Sequence, residues 1–399
     1  MSATTQTPII PIKSSSEPPH IIAPDAMTIF ATRAQRFEQL AEGHTLSDWL
    51  RFLAAITRAQ HETLQALPAL ALPDAAQLAR AREHRMPPLP AQSWPRDPAW
   101  RQSLLQIIAA VSPAAPETAR NDLTRLAGFD AERIEALADR VLHTELYGED
   151  AALLPYVAAA LQVLWTAGAA RLGGNDIAAL DVPGVCPCCG FLPVASIVRN
   201  SGETSNLRYL HCALCNTEWN LVRVKCSACD ANDGISYRHL ENEDIKTAGA
   251  VRAETCESCK SYLKIVYTET AAVDPVADDL ATLALDILVD EAGYARSGPN
   301  LLLVPGGRES ALAMRCSAEP IPALHCLRTM SDRNRQPEET PMRRLLSLFV
   351  IAAALSLPAL AADRLDGVLT LAADDKAALA QIVKTPERHV MLYFGDYQH

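Results

Sequence analysis

The chain has 399 residues, and 49% of them are apolar, which excludes a disordered protein and allows two or three domains with a sizeable core. It carries 47 Asp and Glu against 36 Lys and Arg, a formal charge of −11, and this argues against a general nucleic-acid binder, which needs surplus cations. Only 5% of the residues are aromatic. Composition therefore indicates a soluble, acidic and mostly helical protein.

The N-terminal residues differ in composition from the rest of the chain. Residues 1–25 contain five Pro and several Ser and Thr without apolar periodicity, so they are predicted to form a disordered leader. The chain also begins without the charged and apolar regions of a signal peptide, which predicts a cytoplasmic location for its main body.

Residues 26–178 show helical periodicity and predict an α-helical domain. Behind a potential N-cap at Thr45, apolar residues recur at i, i+3, i+4 and i+7 spacing: Leu46, Trp49, Leu50, Leu53 and Ile56. Asp130 is expected to cap another helix. Pro155 is expected to open, or to kink, a long apolar helix that ends at Gly173-Gly174.

Cysteine spacing is the strongest signal in the sequence. Four C-x-x-C pairs fall within 74 residues, at Cys186/Cys189, Cys212/Cys215, Cys226/Cys229 and Cys256/Cys259. Disulfides are rare in the cytosol, and a tight turn that presents residues i and i+3 suits two thiolates on one tetrahedral ion. The eight cysteines are therefore predicted metal ligands, and the sulfur set fits iron and zinc equally well.

Pairing the motifs in sequence order predicts two tandem modules of the rubredoxin or zinc-ribbon type. The first module, residues 179–222, would hold one ion at Cys186, Cys189, Cys212 and Cys215. The second, residues 223–305, would hold another at Cys226, Cys229, Cys256 and Cys259 and would include a packing helix. Hairpins fill the intervals within each module, whereas Trp219–Lys225 is expected to form one strand that joins them. Nested or crossed pairing remains an alternative.

The neighbours of the ligands have plainer interpretations. Cys188, inside the first motif, is predicted to be a spare turn residue, with a substitute ligand or a redox-sensitive thiol as the alternative. His211 is predicted to be a structural or surface residue. After the last motif, Tyr262–Tyr267 predicts a strand and Asp278–Leu288 a single amphipathic helix that ends near Gly293. The fold class is thus α+β, with a helical N-terminal domain, two metal modules and a C-terminal helix.

The extension over 306–399 does not resemble the rest. Within it, Met342-Arg-Arg344, an uncharged run at 345–362 and small residues before Asp363 have the layout of a signal peptide inside the chain. The favoured interpretation is a fused or mistranslated reading frame that starts at Met342. The alternatives are a membrane anchor and a buried helix. Only the anchor would bring the chain into contact with a membrane, and Pro358 argues against it.

Several functional classes find no support in the sequence. Motifs for nucleotide phosphates, catalytic zinc and nucleophilic serine are absent, and a closed four-sulfur site has no open position for activating water, so no enzyme activity is predicted. Between Cys186 and Lys264 there are nine basic and nine acidic residues, which argues against nucleic acid as a partner.

Two stretches of the sequence together resemble the FdhE family of formate dehydrogenase accessory proteins, over roughly residues 25–305. The residues that carry the resemblance are Arg33-Ala-Gln-Arg36, Leu40-Ala-Glu-Gly-His-Thr-Leu46, Trp49-Leu-Arg-Phe-Leu-Ala54, Ala59-Gln60, Cys186-Pro-Cys-Cys-Gly190, Arg208-Tyr-Leu-His-Cys-Ala-Leu-Cys215, Thr217-Glu-Trp219, Arg223-Val-Lys-Cys-Ser-Ala-Cys229, Ala253-Glu-Thr-Cys-Glu-Ser-Cys259, Tyr262-Leu-Lys264, Asp278-Asp-Leu280 and Leu285-Asp286.

The resemblance implies a cytoplasmic bacterial assembly factor for respiratory formate dehydrogenases. It implies contact with the molybdenum-containing catalytic subunit before export by the twin-arginine route, two rubredoxin-like modules, and iron at the cysteines. A rubredoxin-like electron carrier or redox sensor is the alternative function. Arg33, Arg36 and His44 are candidates for partner recognition, with exposed helix charges and a polar turn residue as the preferred explanation. The oligomeric state stays open, a homodimer included.

Overall fold

A computed structural model describes residues 18–201, 204–240, 250–268 and 273–303 of the chain. The predictions for residues 1–17 and for the extension over 306–399, including the signal-peptide-like segment at 342–362, lie outside the described residues. Within them, a helical N-terminal region is followed by a sheet that carries both groups of cysteines, and short helices return to pack on it. This confirms the predicted α+β fold class.

Seven α-helices form the N-terminal region. They are α1 (Ile29–Ala41), α2 (Ser47–Ala66), α3 (Ala75–Glu83), α4 (Ala99–Val111), α5 (Glu117–Ala127), α6 (Ala131–Leu142) and α7 (Leu154–Leu172). Helix α7 is apolar on nearly all sides and forms the centre of the core, with α2, α4 and α6 packed around it. The apolar stretch Ala151–Leu172 is long enough to cross a membrane, but 83% of its 18-residue window is buried inside the protein.

The helix ends test the predicted caps. Asp130 caps α6 by accepting a hydrogen bond from the Arg133 amide, and Gly173 ends α7 with a positive φ of 69°, as expected. Pro155 lies in the first turn of α7, also as expected. The cap predicted at Thr45 is wrong, because α2 starts at Ser47 after Leu46 and has no side-chain cap.

Eight strands, within the described residues, form one sheet. They are β1 (Ile21–Ile22), β2 (Pro193–Ser201), β3 (Thr204–Cys212), β4 (Glu218–Asn220), β5 (Ile235–Arg238), β6 (Val251–Cys256), β7 (Ser261–Tyr267) and β8 (Ala295–Arg296). Their order is β1-β4-β3-β2-β7-β6-β5, with β8 also beside β7. Neighbours are antiparallel except at β2/β7 and β7/β8, where the pairs are parallel.

The connection between the two cysteine modules differs from the prediction. Trp219–Lys225 is not a strand, because β4 ends at Asn220 and the chain then turns, with Val224 at a φ of 60°. The modules are joined instead where β2 pairs with β7, Ser196 lying opposite Ile265. The connection after Asn220 does not need to be a strand, since the pairing of β2 with β7 already joins the two modules.

The leader prediction also needs correction, because residues 18–25 are ordered. Strand β1 pairs with β4, the Asn220 amide donates to the His20 carbonyl over 2.9 Å, and the Tyr209 hydroxyl donates to the Pro19 carbonyl over 2.9 Å. Ile21 buries its side chain against the core. Ile21 and Ile22 thus add a strand at the edge of the sheet, although the composition of residues 1–25 predicted disorder.

The single C-terminal helix predicted over Asp278–Leu288 is wrong. The structure has two helices, α8 (Pro275–Leu280) and α9 (Leu283–Glu291). Between them the fully buried ammonium of Lys264 donates hydrogen bonds to the carbonyls of Asp279 (2.7 Å) and Thr282 (2.9 Å). Because these bonds satisfy carbonyls at the break, two short helices are stable where periodicity suggested one. Helix α8 packs between α1 and β2.

Candidate metal centre

The eight predicted ligands come together in two groups of four. The first sulfur group consists of Cys186, Cys189, Cys212 and Cys215, and the second sulfur group of Cys226, Cys229, Cys256 and Cys259. In each group all four Sγ atoms lie within 4.8 Å of one another. The motifs therefore pair in sequence order, and the nested or crossed arrangement does not occur.

Distances between the sulfurs test whether an ion would fit. In the first sulfur group the 186/215 and 189/212 Sγ pairs are both 3.5 Å apart, and in the second the 226/259 and 229/256 pairs are both 3.7 Å apart. Four sulfurs about 2.3 Å from a central ion in a tetrahedron would lie about 3.8 Å from each other. All eight cysteines are free thiols. The geometry thus suits a tetrahedral ion.

Each C-x-x-C turn ends in the same backbone conformation. The residue after the second cysteine has a positive φ in all four motifs: Gly190 (72°), Asn216 (60°), Asp230 (65°) and Lys260 (53°). This conformation closes the turn. Inside the second motif, the Leu214 and Cys215 amides donate to Cys212 Sγ over 3.4 Å. Only the first motif uses glycine, for which this conformation carries no steric cost.

Burial sets the electrostatics of the first sulfur group. It raises the pKa of the Cys186 and Cys189 thiols well above their ordinary value. For Cys215, burial also favours the neutral form, but hydrogen bonds from Cys186, Cys188 and Cys189 hold its pKa well below the ordinary value. A raised pKa favours the protonated thiol at Cys186 and Cys189, and all four sulfurs are withdrawn from solvent. A bound cation would take the place of the protons, as metal sites do when they load.

In the second sulfur group the same effects are weaker. The hydrogen bond with Cys259, together with burial, raises the pKa of Cys226 to about 12. The pKa of Cys259 is lowered, mainly by the hydrogen bond from Cys226. The Ser261 hydroxyl lies 2.9 Å from Cys259 Sγ. This group also has the donor set that a tetrahedral ion requires.

Cys188 lies outside the group of four sulfurs, although it is fully buried. Its carbonyl accepts a hydrogen bond from the Leu89 amide over 3.0 Å. It therefore supports the first turn from behind, in the manner of the spare turn residue that the sequence suggested.

The Thr-Glu-Trp segment supports the first sulfur group. Thr217 Oγ1 lies 3.2 Å from Cys215 Sγ, and the Trp219 indole donates to the Pro183 carbonyl over 2.8 Å. Burial opposes ionisation of Glu218, but hydrogen bonds from His211 and Arg199 lower its pKa to about 2. His211 is itself buried, with Nδ1 3.1 Å from Glu218 Oε1. The structural interpretation of His211 is thus the one the geometry supports.

Sequence reasoning placed Arg33 wrongly, as an exposed helix charge. It is fully buried, and its Nε lies 2.9 Å and 3.1 Å from the two carboxylate oxygens of Asp274. It also donates to Asn216 Oδ1 over 2.8 Å, which ties α1 to the turn after Cys215. A signal was available, since Arg33 shares the face of α1 on which Phe30 and Phe37 are buried.

Arg36 also differs from the preferred explanation, whereas His44 lies in the turn between α1 and α2, as that explanation expected. Arg36 is mostly buried and makes a two-pronged ion pair with Asp278, with distances of 3.0 Å and 2.6 Å. His44 Nε2 lies 3.0 Å from the Ala281 carbonyl. Together with Arg33, these side chains fasten the helical region to α8. They hold the structure together and are not displayed to solvent as a row of charges.

A closed set of four thiolates limits what the site can do. Each sulfur group would fill the four positions of a tetrahedral ion, so no position would stay open for water or substrate. Such a centre can cross-link the chain or exchange electrons, but it cannot activate water as a three-ligand zinc does.

Comparisons with known proteins cover most of the described residues. Residues 18–181 match a family model described as the N-terminal part of FdhE, residues 185–223 its central domain, and residues 224–303 its C-terminal domain. Together these matches account for both sulfur groups and the helical region, and they end at residue 303.

Curated relatives and a solved structure agree with these matches. A protein named Protein FdhE homolog from Pseudomonas aeruginosa is 40% identical over 292 residues, which are 73% of this chain and 94% of that protein. One of the same name from Edwardsiella ictaluri is 43% identical over 290 residues, 72% of this chain and 92% of that protein. The crystal structure of the FdhE protein from Pseudomonas aeruginosa has a TM-score of 0.62 and 38% identity, covering 72% of this chain and all of that one.

Proposed function

The chain belongs to the FdhE family, and on that basis we propose that it is a cytoplasmic accessory protein in the maturation of a formate dehydrogenase. The observation that carries the proposal is the pairing of eight cysteines into two closed sulfur groups on the framework of this family. A closed centre fits a protein that shapes a docking surface better than one that transforms a substrate.

Its partner in this proposal is the catalytic subunit of a respiratory formate dehydrogenase, bound before export by the twin-arginine route. The balanced charge of the cysteine region supports a protein partner over nucleic acid, since the segment from Cys186 to Lys264 contains nine basic and nine acidic residues. Buried ion pairs at Arg33 and Arg36 support the proposal by holding the helical region and the sheet in a fixed relation.

In this proposal each sulfur group holds one ion, either iron or zinc. The residues that would bind it are Cys186, Cys189, Cys212 and Cys215 in one site and Cys226, Cys229, Cys256 and Cys259 in the other. A bound ion supplies a cross-link between two turns, and iron adds one-electron redox chemistry. The chain's own contribution is to gather the thiols, exclude water and donate amide hydrogen bonds to sulfur.

A tagged full-length chain, purified without oxygen from cells grown on formate, tests the proposal. We expect the catalytic subunit of formate dehydrogenase to co-purify, with two metal ions per chain, and a strain lacking this chain to lose dehydrogenase activity. Absence of the subunit from the purified complex, with normal activity in the deletion strain, would refute the accessory function.

The same preparation distinguishes the accessory function from the alternative, a rubredoxin-like electron carrier or redox sensor. The half-buried Cys229 and Cys259 are the observation that favours it, because electron transfer needs an approachable centre. A protein that holds only zinc, or that shows no reversible reduction, eliminates an electron carrier and leaves the accessory function in place.

A further inference from the structure

The two sulfur groups differ sharply in their access to solvent. In the first, the four cysteines are between 0% and 1% exposed. In the second, Cys256 is 2% and Cys226 6% exposed, and Cys229 and Cys259 are only half-buried. The same ligand set is thus sealed in one module and approachable in the other.

The first sulfur group is also held by the helical region. The Cys188 carbonyl accepts a hydrogen bond from the Leu89 amide (3.0 Å), and the Cys189 carbonyl accepts one from the Ala91 amide (2.8 Å). From α7, Gln162 donates to the Ala213 carbonyl over 2.8 Å. Opening this site therefore requires the turns to leave the helical core.

The turns of the second sulfur group are bonded within their own module. The Cys226 amide donates to the Ala231 carbonyl, and the Glu257 amide to the Gly234 carbonyl, over 2.8 Å and 2.9 Å. The Ala295 amide of β8 donates to the Lys260 carbonyl over 2.8 Å. These bonds can break locally without disturbing the helices.

A small cavity adjoins the second sulfur group. Its volume is about 10 Å³, and its lining includes Cys226, Cys256, Ser227, Thr255, Ser261 and Ser297. That is room for about one water molecule beside two of the sulfurs.

We propose that the second sulfur group is the exchangeable metal site of this chain, and that the first sulfur group keeps its ion as a fixed structural centre. The inference rests on the metal binding in the proposed function. Exchange of a tetrathiolate ion needs an incoming donor that reaches the ion. The half-buried Cys229 and Cys259 give the donor a path, and the neighbouring cavity leaves room for water beside Cys226 and Cys256. The first sulfur group, whose cysteines are 0% to 1% exposed, offers the donor no such path.

Release of zinc from the full-length chain tests this assignment. The protein is loaded with Zn²⁺ alone and mixed with excess of a colour-forming chelator. We expect two phases of one equivalent each, the fast one at least about tenfold faster than the slow one, as local opening outpaces opening of a packed core. Alkylation by iodoacetamide during the fast phase, read by peptide mass spectrometry, should label Cys226, Cys229, Cys256 and Cys259 before the other four ligands.

Two matched variants assign the phases. Cys259→Ser should remove the fast phase and keep the slow one, whereas Arg58→Ala, a change at an exposed ion pair, should keep both. Release of both equivalents at one rate, or earlier labelling of the first sulfur group, would overturn the inference while leaving the accessory function standing. A chain that takes up no zinc or iron at all would overturn the metal centres of the proposed function and this inference with them.

Discussion

The two cysteine modules use the same motif in different surroundings. The first is enclosed by the helical region, with Asn216 bonded to both Thr166 and the buried Arg33. The second leans on the sheet and on α9, where Tyr262 donates to Asp286 over 2.8 Å. Equal spacing of cysteines thus produces centres of unequal rigidity, since neighbours outside the motif decide how far a site can open.

Removing one ligand from each module should give the largest contrast. Cys189→Ala is expected to abolish cooperative folding of the helical region as well as its own module, because a structural ion contributes roughly 10–16 kcal/mol, as much as a whole domain's stability. Cys259→Ala should unfold the second module and leave the helical transition intact. Limited proteolysis and thermal circular dichroism would show the difference.

Cys188→Ala is the control for that pair, because this buried cysteine lies outside the ligand group. It should keep both ions. Unchanged protease resistance in Cys189→Ala would show that the first ion is dispensable, and equal damage from the two ligand variants would erase the distinction between the modules.

Arg33→Met tests the buried clamp on the first module. Breaking the pair leaves Asp274 charged and 4% exposed, which should cost about 3–5 kcal/mol of unfolding free energy. Arg58→Met is the matched control on a neighbouring helix, since its pair with Glu38 is about half exposed, and it should cost no more than about 1 kcal/mol. Urea unfolding measures both. Similar costs for the two variants would show that the clamp contributes little.

The smallest effect concerns the residue after each motif. Gly190→Ala places a Cβ at a φ of 72°, 3.3 Å from Pro87 Cγ, and should cost about 1–2 kcal/mol. Lys260→Gly makes the opposite change at a φ of 53° in the second module and should alter stability by less than about 1 kcal/mol. Thermal melts would register the two shifts, and a larger loss for the lysine variant would contradict the shared turn geometry.

The cysteine spacing carried most of the prediction. Four motifs in order favoured the sequential grouping of the sulfurs that the structure shows, over the nested or crossed alternative. Helical periodicity over 26–178 supplied the helical half of the α+β class. Helix ends were predictable where one residue acts alone, as at Asp130 and Gly173. These helix ends depend only on residues that are close in sequence, so the sequence alone predicts them.

Long-range polar contacts escaped prediction. Arg33 and Asp274 lie 241 positions apart, and Lys264 meets the carbonyls that end α8 only after the sheet has formed. Charged residues are usually exposed, so composition favoured the wrong placement for Arg33 and Arg36. The ordered residues 18–25 escaped for the same reason, because β1 has its partner, β4, almost two hundred residues later.

Parallel pairing of β2 with β7 has a consequence for synthesis of the chain. Some sixty residues separate the end of β2 from the start of β7, so at ribosomal speed the β2 edge emerges several seconds before its neighbour exists. Val194, Ala195 and Ile197 meanwhile belong to a strand with one bare edge, a template for pairing with another nascent chain. On crowded polysomes we expect nascent chains to aggregate during this interval. Slower translation should lengthen the interval.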